Sequence, residues 1–132
     1  MVKKLVILLV IVVFIISGCS NKSNQFSELY TGNAQSVTKL DMVDGRTGQM
    51  YNTQNSTKLQ EFLEIMASRS FSKELIQSKR AGYLYFVDLY EGSNKAIRLT
   101  FSNDVEFDTI YYKIDKDITN ELDVYFESLK SK

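Results

Sequence analysis

The spacing of apolar residues changes several times along this chain, and each change marks a part. Residues 5–16, LVILLVIVVFII, are apolar without a break. Residues 20–27 are polar apart from Phe26 and keep neither a helical nor a strand period, the pattern of a linker. From residue 36 the rhythm becomes that of a folded domain. Residues 36–43, SVTKLDMV, alternate imperfectly and carry β-branched side chains, which predicts a strand. The turn DGRTG at 44–48 holds two glycines able to take positive φ, and 49–53 returns as a short strand. Asn55, Ser56 and Thr57 offer capping groups ahead of a helix. Its Leu59, Phe62, Leu63 and Met66 fall at i, i+3, i+4 and i+7.

Residues 68–80 are polar and basic, broken by Phe71, Leu75 and Ile76, and no period assigns them. Residues 82–92 are apolar at both parities. Tyr83, Tyr85, Val87 and Leu89 should point one way and Leu84, Phe86 and Tyr90 the other, as in a central strand covered on both sides. Ile97, Leu99 and Phe101 alternate cleanly in the next strand. Between 105 and 114 the apolar parity switches from Val105 and Phe107 to Ile110, Tyr112 and Ile114, which predicts a β-bulge near Asp108 and Thr109. A last helix carries Ile118, Leu122, Tyr125, Phe126 and Leu129 as its stripe, with Asp115 and Asp117 at its positive end. The order β-β-α-β-β-β-α with short connections predicts an α+β fold. It should be a mostly antiparallel five-stranded sheet with two amphipathic helices on one face.

The apolar run at the start follows Lys3 and Lys4 and ends in small residues, the make-up of a secretory signal peptide. Its 12 residues would form a helix roughly 18 Å long, short of the ~30 Å hydrocarbon core of a bilayer. The exit Ile16-Ser17-Gly18-Cys19 resembles the lipobox of bacterial lipoproteins. That resemblance implies cleavage between Gly18 and Cys19 and attachment of diacylglycerol to the Cys19 sulfur, whose thiolate is the nucleophile. Two acyl chains give stable anchoring where one gives only marginal binding. The lipid bilayer would then be the first partner, reached through diacylglyceryl-Cys19 at the extracytoplasmic face of the cell membrane. The folded part resembles small uncharacterised lipoproteins of Gram-positive bacteria. The residues that carry this are Leu29-Tyr30-Thr31-Gly32-Asn33-Ala34, Asp44-Gly45-Arg46-Thr47-Gly48 and Glu61-Phe62-Leu63. The expected organisation is a signal peptide at 1–18, a lipidated N-terminus and flexible tether at 19–28, and one α+β domain at 29–132.

Composition narrows the chemistry. Sixteen basic residues balance sixteen acidic ones, and losing Lys3 and Lys4 with the leader would leave a side-chain charge of −2. A nucleic-acid binder usually shows a basic face, so no nucleic-acid partner is expected. Cys19 is the single cysteine; once lipidated, it leaves the domain no disulfide, thiolate metal site or cysteine nucleophile. Histidine is absent, and with it the commonest general base near neutral pH. Two Ser-x-x-Lys matches, at Ser36 and Ser70, and an Arg46-Thr47-Gly48 imitate motifs of penicillin-recognising enzymes. Their placement in a strand and after a helix is wrong for that chemistry. Asp104, Glu106 and Asp108 alternate and should share a strand face, followed by Asp115 and Asp117. An EF-hand loop begun at Asp115 would put Asn120 and Phe126 where glycine and glutamate are needed. No catalytic residue, cofactor or metal is therefore expected.

Two surface features remain. Arg69, Lys73, Lys79 and Arg80 form a basic stretch, interrupted by Glu74, that is either solvated or set against anionic headgroups. Tyr83, Tyr85, Tyr90, Tyr111 and Tyr112 concentrate on the predicted strands. They either pack in the core with hydroxyls at its rim or form an aromatic recognition surface for an envelope protein or a glycan. The expected role is a membrane-anchored binding or accessory module. The alternatives are a small carboxylate-dependent envelope hydrolase and a structural or stress-related envelope protein.

Overall fold

The computed structural model describes residues 2–3 and 22–130. The apolar leader, the lipobox and Cys19 lie outside the described residues. The strands are β1 (Ser23–Gln25), β2 (Lys39–Asp44), β3 (Met50–Thr53), β4 (Ser70–Lys73), β5 (Tyr85–Glu91), β6 (Asn94–Phe101), β7 (Val105–Phe107) and β8 (Ile110–Ile114). The helices are α1 (Phe26–Leu29), α2 (Ser56–Ala67) and α3 (Thr119–Lys130). All eight strands join one sheet in the order β1-β4-β8-β7-β6-β5-β2-β3, and each pairing is antiparallel. The fold is α+β.

Strand alternation places one row after another on the inner face. Leu40 pairs with Leu89 and Leu89 with Ile97; Met42, Val87, Leu99 and Phe107 make the next row; Tyr85, Phe101, Val105 and Tyr112 make the third. All of these are buried. The helices α2 and α3 cover this face, bringing Leu59, Phe62 and Met66 from one and Leu122, Tyr125 and Phe126 from the other. Phe62 meets Tyr125 at 5.7 Å between ring centroids, and Tyr85 meets Phe126 at 5.3 Å. Asn55 starts α2 by accepting the N–H groups of Thr57 and Lys58, at 2.9 and 3.1 Å, which satisfies two donors the first turn would leave unpaired.

The sheet has eight strands where five were expected, for three reasons. First, Ser23–Gln25 pairs with β4, so the expected tether at 19–28 belongs to the fold from Ser23 onward. Phe26, the one apolar residue of that segment, is buried; it stacks on Tyr30 at 5.5 Å and packs on Phe107 at 6.0 Å. Second, β4 is four residues long with only Phe71 buried, too short to show a period in sequence. Third, the expected bulge at Asp108 and Thr109 is instead a hairpin turn: Phe107 faces Ile110, and the chain reverses through Asp108 at φ 54°. Reversal, not slippage, changes the parity. The register does shift, but between Leu89 and Tyr90.

The four antiparallel pairings that separate β4 from β5 make those two strands parallel. Residues 74–84 must therefore return along the sheet. With both long helices on the inner side, this segment passes over the outer face as a strap.

Candidate binding surface

The outer face is built from the alternate positions of the same strands. One row runs Asp41, Asp88 and Arg98; another runs Val43, Phe86, Thr100, Glu106 and Tyr111. Two carboxylates set directly opposite each other would repel. Each has a cation of its own. Lys39 Nζ lies 3.3 Å from Asp41 Oδ1, in ion-pair range but out of line for a hydrogen bond. Arg98 donates through Nε and Nη2 to the two oxygens of Asp88, both at 2.7 Å, and Lys95 Nζ stands 3.0 Å away. Asp88 is only 3 % exposed although it sits on the outer face. Burial works against its charge, but the bonds from Arg98 and Lys95 outweigh it and hold the carboxyl below its ordinary range. The same pairing raises Arg98 above its ordinary value.

These cations also overlie aromatic rings. The Arg98 guanidinium carbon is 4.3 Å from the Phe86 ring centre; Lys39 and Lys95 approach the Tyr90 ring at 4.9 and 5.9 Å. Tyr83 leans on Phe86 at 5.4 Å and is 39 % exposed. Together Phe86, Arg98, Lys95, Lys39 and Tyr90 make a strip on the outer face, away from the helices, and Tyr83 at the end of the strap borders it against Phe86.

The five expected tyrosines do not form one surface. Tyr85 and Tyr112 point inward and are buried in the core, while Tyr111 is buried on the outer face beneath the strap. Tyr83 lies just before β5 and turns outward instead of inward with Tyr85. Tyr83 and the half-buried Tyr90 remain for recognition. The strap is held at Tyr111 by the Gln77 side chain, which donates to its carbonyl at 3.0 Å and accepts its N–H at 2.8 Å, extending the β4–β8 ladder. The Arg80 guanidinium carbon lies 4.2 Å from the Tyr111 ring centre, and its Nη1 is 3.0 Å from Asp104.

The basic stretch is likewise divided. Arg69 is buried and clamps the loop before α3, donating to the carbonyls of Lys116 and Asp117 at 3.1 and 3.0 Å and to Glu121 at 2.6 Å. Arg80 is engaged as described, whereas Lys73 and Lys79 are exposed. The acids expected on one strand face are separated too. Asp104 takes Arg80 and the Ser102 hydroxyl, Glu106 lies on the outer face, and Asp108 accepts the Arg98 N–H from the hairpin turn at 2.9 Å. Asp115 accepts the Ser70 N–H at 3.0 Å; Asp117 accepts the N–H and hydroxyl of Thr119, which hold it below its ordinary range.

Sequence reasoning missed a second cluster, at the end of the sheet. Arg46 donates to Asp44 at 3.0 Å, to Asp123 at 2.8 Å and to the Tyr85 hydroxyl at 2.6 Å; Tyr85 donates to Asp123 at 2.6 Å. The bonds from Arg46 keep Asp44 below its ordinary range, and burial raises Tyr85 above its own. An acid held charged and a phenol held neutral tie the 44–48 turn to α3; neither is poised to move a proton near pH 7. Sequence offers no signal for this cluster, because its members are separated by up to 79 positions. An open groove of about 370 Å³ lies between α1 and α2, floored by Phe26, Ala34 and Leu63.

Among the described residues no group of acids is placed to hold a metal ion, and no helix is long and apolar enough to cross a membrane. No protein-family model matches the chain, no curated protein matches its sequence, and no solved structure matches it.

Proposed function

We propose that this chain is a lipoprotein held at the extracytoplasmic face of a Gram-positive cell membrane by diacylglyceryl-Cys19, and that its domain is a binding module for another envelope protein. The lipobox Ile16-Ser17-Gly18-Cys19 supports the anchor. The observation that carries the binding role is the strip on the outer face, where Arg98, Lys95 and Lys39 overlie Phe86 and Tyr90 beside Tyr83. Arginine and tyrosine in a pre-ordered array are the residue types that dominate protein interfaces. The buried Asp88 holds Arg98 in place before any partner arrives, so little side-chain entropy is lost on binding.

Two measurements test the two halves. Labelled palmitate should enter the wild-type protein and the Tyr90→Ala variant but not Cys19→Ala. Incorporation into Cys19→Ala would reject the anchor. A benzophenone amino acid placed at Tyr90 should give a discrete protein adduct on irradiated cells, and one placed at Val124, exposed on α3, should not. A glycan adduct would redirect the partner class. No adduct at Tyr90, or the same adduct at both positions, would reject the binding role.

A further inference from the structure

Anchoring at Cys19 would leave the domain little freedom. Four Cα-to-Cα steps separate Cys19 from Ser23, so the start of β1 can stand no more than about 14 Å from the lipidated residue. β1 is antiparallel to β4, and its first residue, Ser23, pairs with Ser72 near the end of β4. The chain that leaves β4 therefore emerges at the end of the sheet where the anchor enters. Its next residues are Glu74, Leu75 and Ile76. Leu75 is 89 % exposed and Ile76 69 % exposed, and they are adjacent. Lysines surround them: Lys22 and Lys73 line the shallow depression on one side of Leu75, and Lys73 and Lys113 the depression on the other. Glu74 is the single acid in that ring.

We infer that Leu75 and Ile76 insert into the membrane beside the anchor, with Lys22, Lys73 and Lys113 against anionic headgroups. This contact fixes the orientation of the domain. An aliphatic pair at a loop tip is costly to leave in water, and a rim of lysines suits the negative surface of an anionic leaflet. Without the anchor, two residues and three charges give only weak, salt-sensitive partition; with it, a bilayer is always within reach. The outer-face strip is then held in one fixed aspect to the membrane. The inference rests on the anchor reading for its geometry, and its test separates the two.

The chain has no tryptophan, so Leu75→Trp supplies a unique probe, and Val124→Trp, on α3 over the opposite edge of the sheet, supplies its control. The mature lipidated variants are reconstituted into vesicles of phosphatidylglycerol and phosphatidylcholine, with brominated acyl chains as quenchers. The expected result is blue-shifted, quenched emission for Leu75→Trp and solvent-like emission for Val124→Trp. In a chain started at Ser20, free of both leader and anchor, Ile76→Ser should weaken vesicle partition by about tenfold. Raised salt should weaken it further. Solvent-like, unquenched emission from Leu75→Trp in lipidated protein overturns the inference while leaving the anchor intact. If mass spectrometry finds no acyl group on Cys19, the anchor reading fails and the probe is read on protein added to the same vesicles. Quenching there upholds the wedge; its absence overturns it.

Discussion

The two faces of the sheet bury tyrosine in different ways. On the inner face Tyr85 is 1 % exposed because helix α3 lays Phe126 against it. On the outer face Tyr111 is 7 % exposed because one arginine of an irregular strap lies over its ring. Asp88 repeats the second case: it is 3 % exposed with Arg98 and Lys95 closing on its carboxylate at 2.7 and 3.0 Å. Inner burial is collective, each side chain touching several neighbours from helices and strands. Outer burial is made pair by pair, by Arg98 and Lys95 that are themselves substantially exposed. A surface closed by single long side chains can meet a partner without disturbing the core.

The contrast can be broken most directly from the inside. Phe62→Ala empties a fully buried ring site between α2 and α3 and should lower stability by about 3–5 kcal/mol, read from the denaturant midpoint. Arg69→Ala comes next, at about 2–4 kcal/mol. It strips the carbonyls of Lys116 and Asp117 of a donor and leaves Glu121 without its cation. A loss under 1 kcal/mol at either position would mean that the helix layer is not what holds the molecule together.

The inner face was largely legible in the sequence. The stripe of Leu59, Phe62 and Met66 and the alternation of Ile97, Leu99 and Phe101 follow directly from the burial they achieve. Elements made by pairing alone were not legible. β1 is Ser-Asn-Gln, polar throughout, and exists because β4 offers it a free edge; β4 in turn buries a single phenylalanine. The hairpin at Asp108 was hidden because its turn carries Asp-Thr instead of the Asn-Gly or Asp-Gly that usually announces one. For the candidate strip, sequence pointed to tyrosine but not to its partners. Arg98 falls in sequence as an ordinary polar position between Ile97 and Leu99, and its grip on Asp88 depends on the β5–β6 register. The aromatic cluster was overcounted because composition does not show which face a tyrosine takes or what covers it: Tyr85 and Tyr112 turn into the core, and Tyr111 lies beneath the strap.

On the outer face, Asp88→Asn should cost about 1–2 kcal/mol, less than the inner losses because Arg98 and Lys95 can recover water. Its clearer sign is in pH. The folded-state value of Asp88 lies below its ordinary one, so its contribution is complete above about pH 4 and is lost as pH falls through the lowered value. The stability of Asp88→Asn should therefore decline less than that of wild type between about pH 5 and pH 2, as followed by urea denaturation at each pH. Equal acid slopes would mean that Arg98 does not hold Asp88 charged in solution.

Tyr83→Ala should have the smallest effect, about 1 kcal/mol or less. The ring is 39 % exposed, touches Phe86 on one side, and belongs to neither helix packing nor the strand ladder. Gly45 lies close beneath it, where an added Cβ would strike both the Tyr83 carbonyl and its ring. The substitution removes the ring's contacts with Gly45 and Phe86 but keeps the backbone, including the Gly45 N–H bond to the Leu84 carbonyl at 2.8 Å. The measurement is decisive for the strip because a binding residue should be expendable for folding. If Tyr83→Ala shifted the denaturant midpoint as far as Phe62→Ala does, this part of the outer face would be a second structural layer, and a partner would have nothing there to displace.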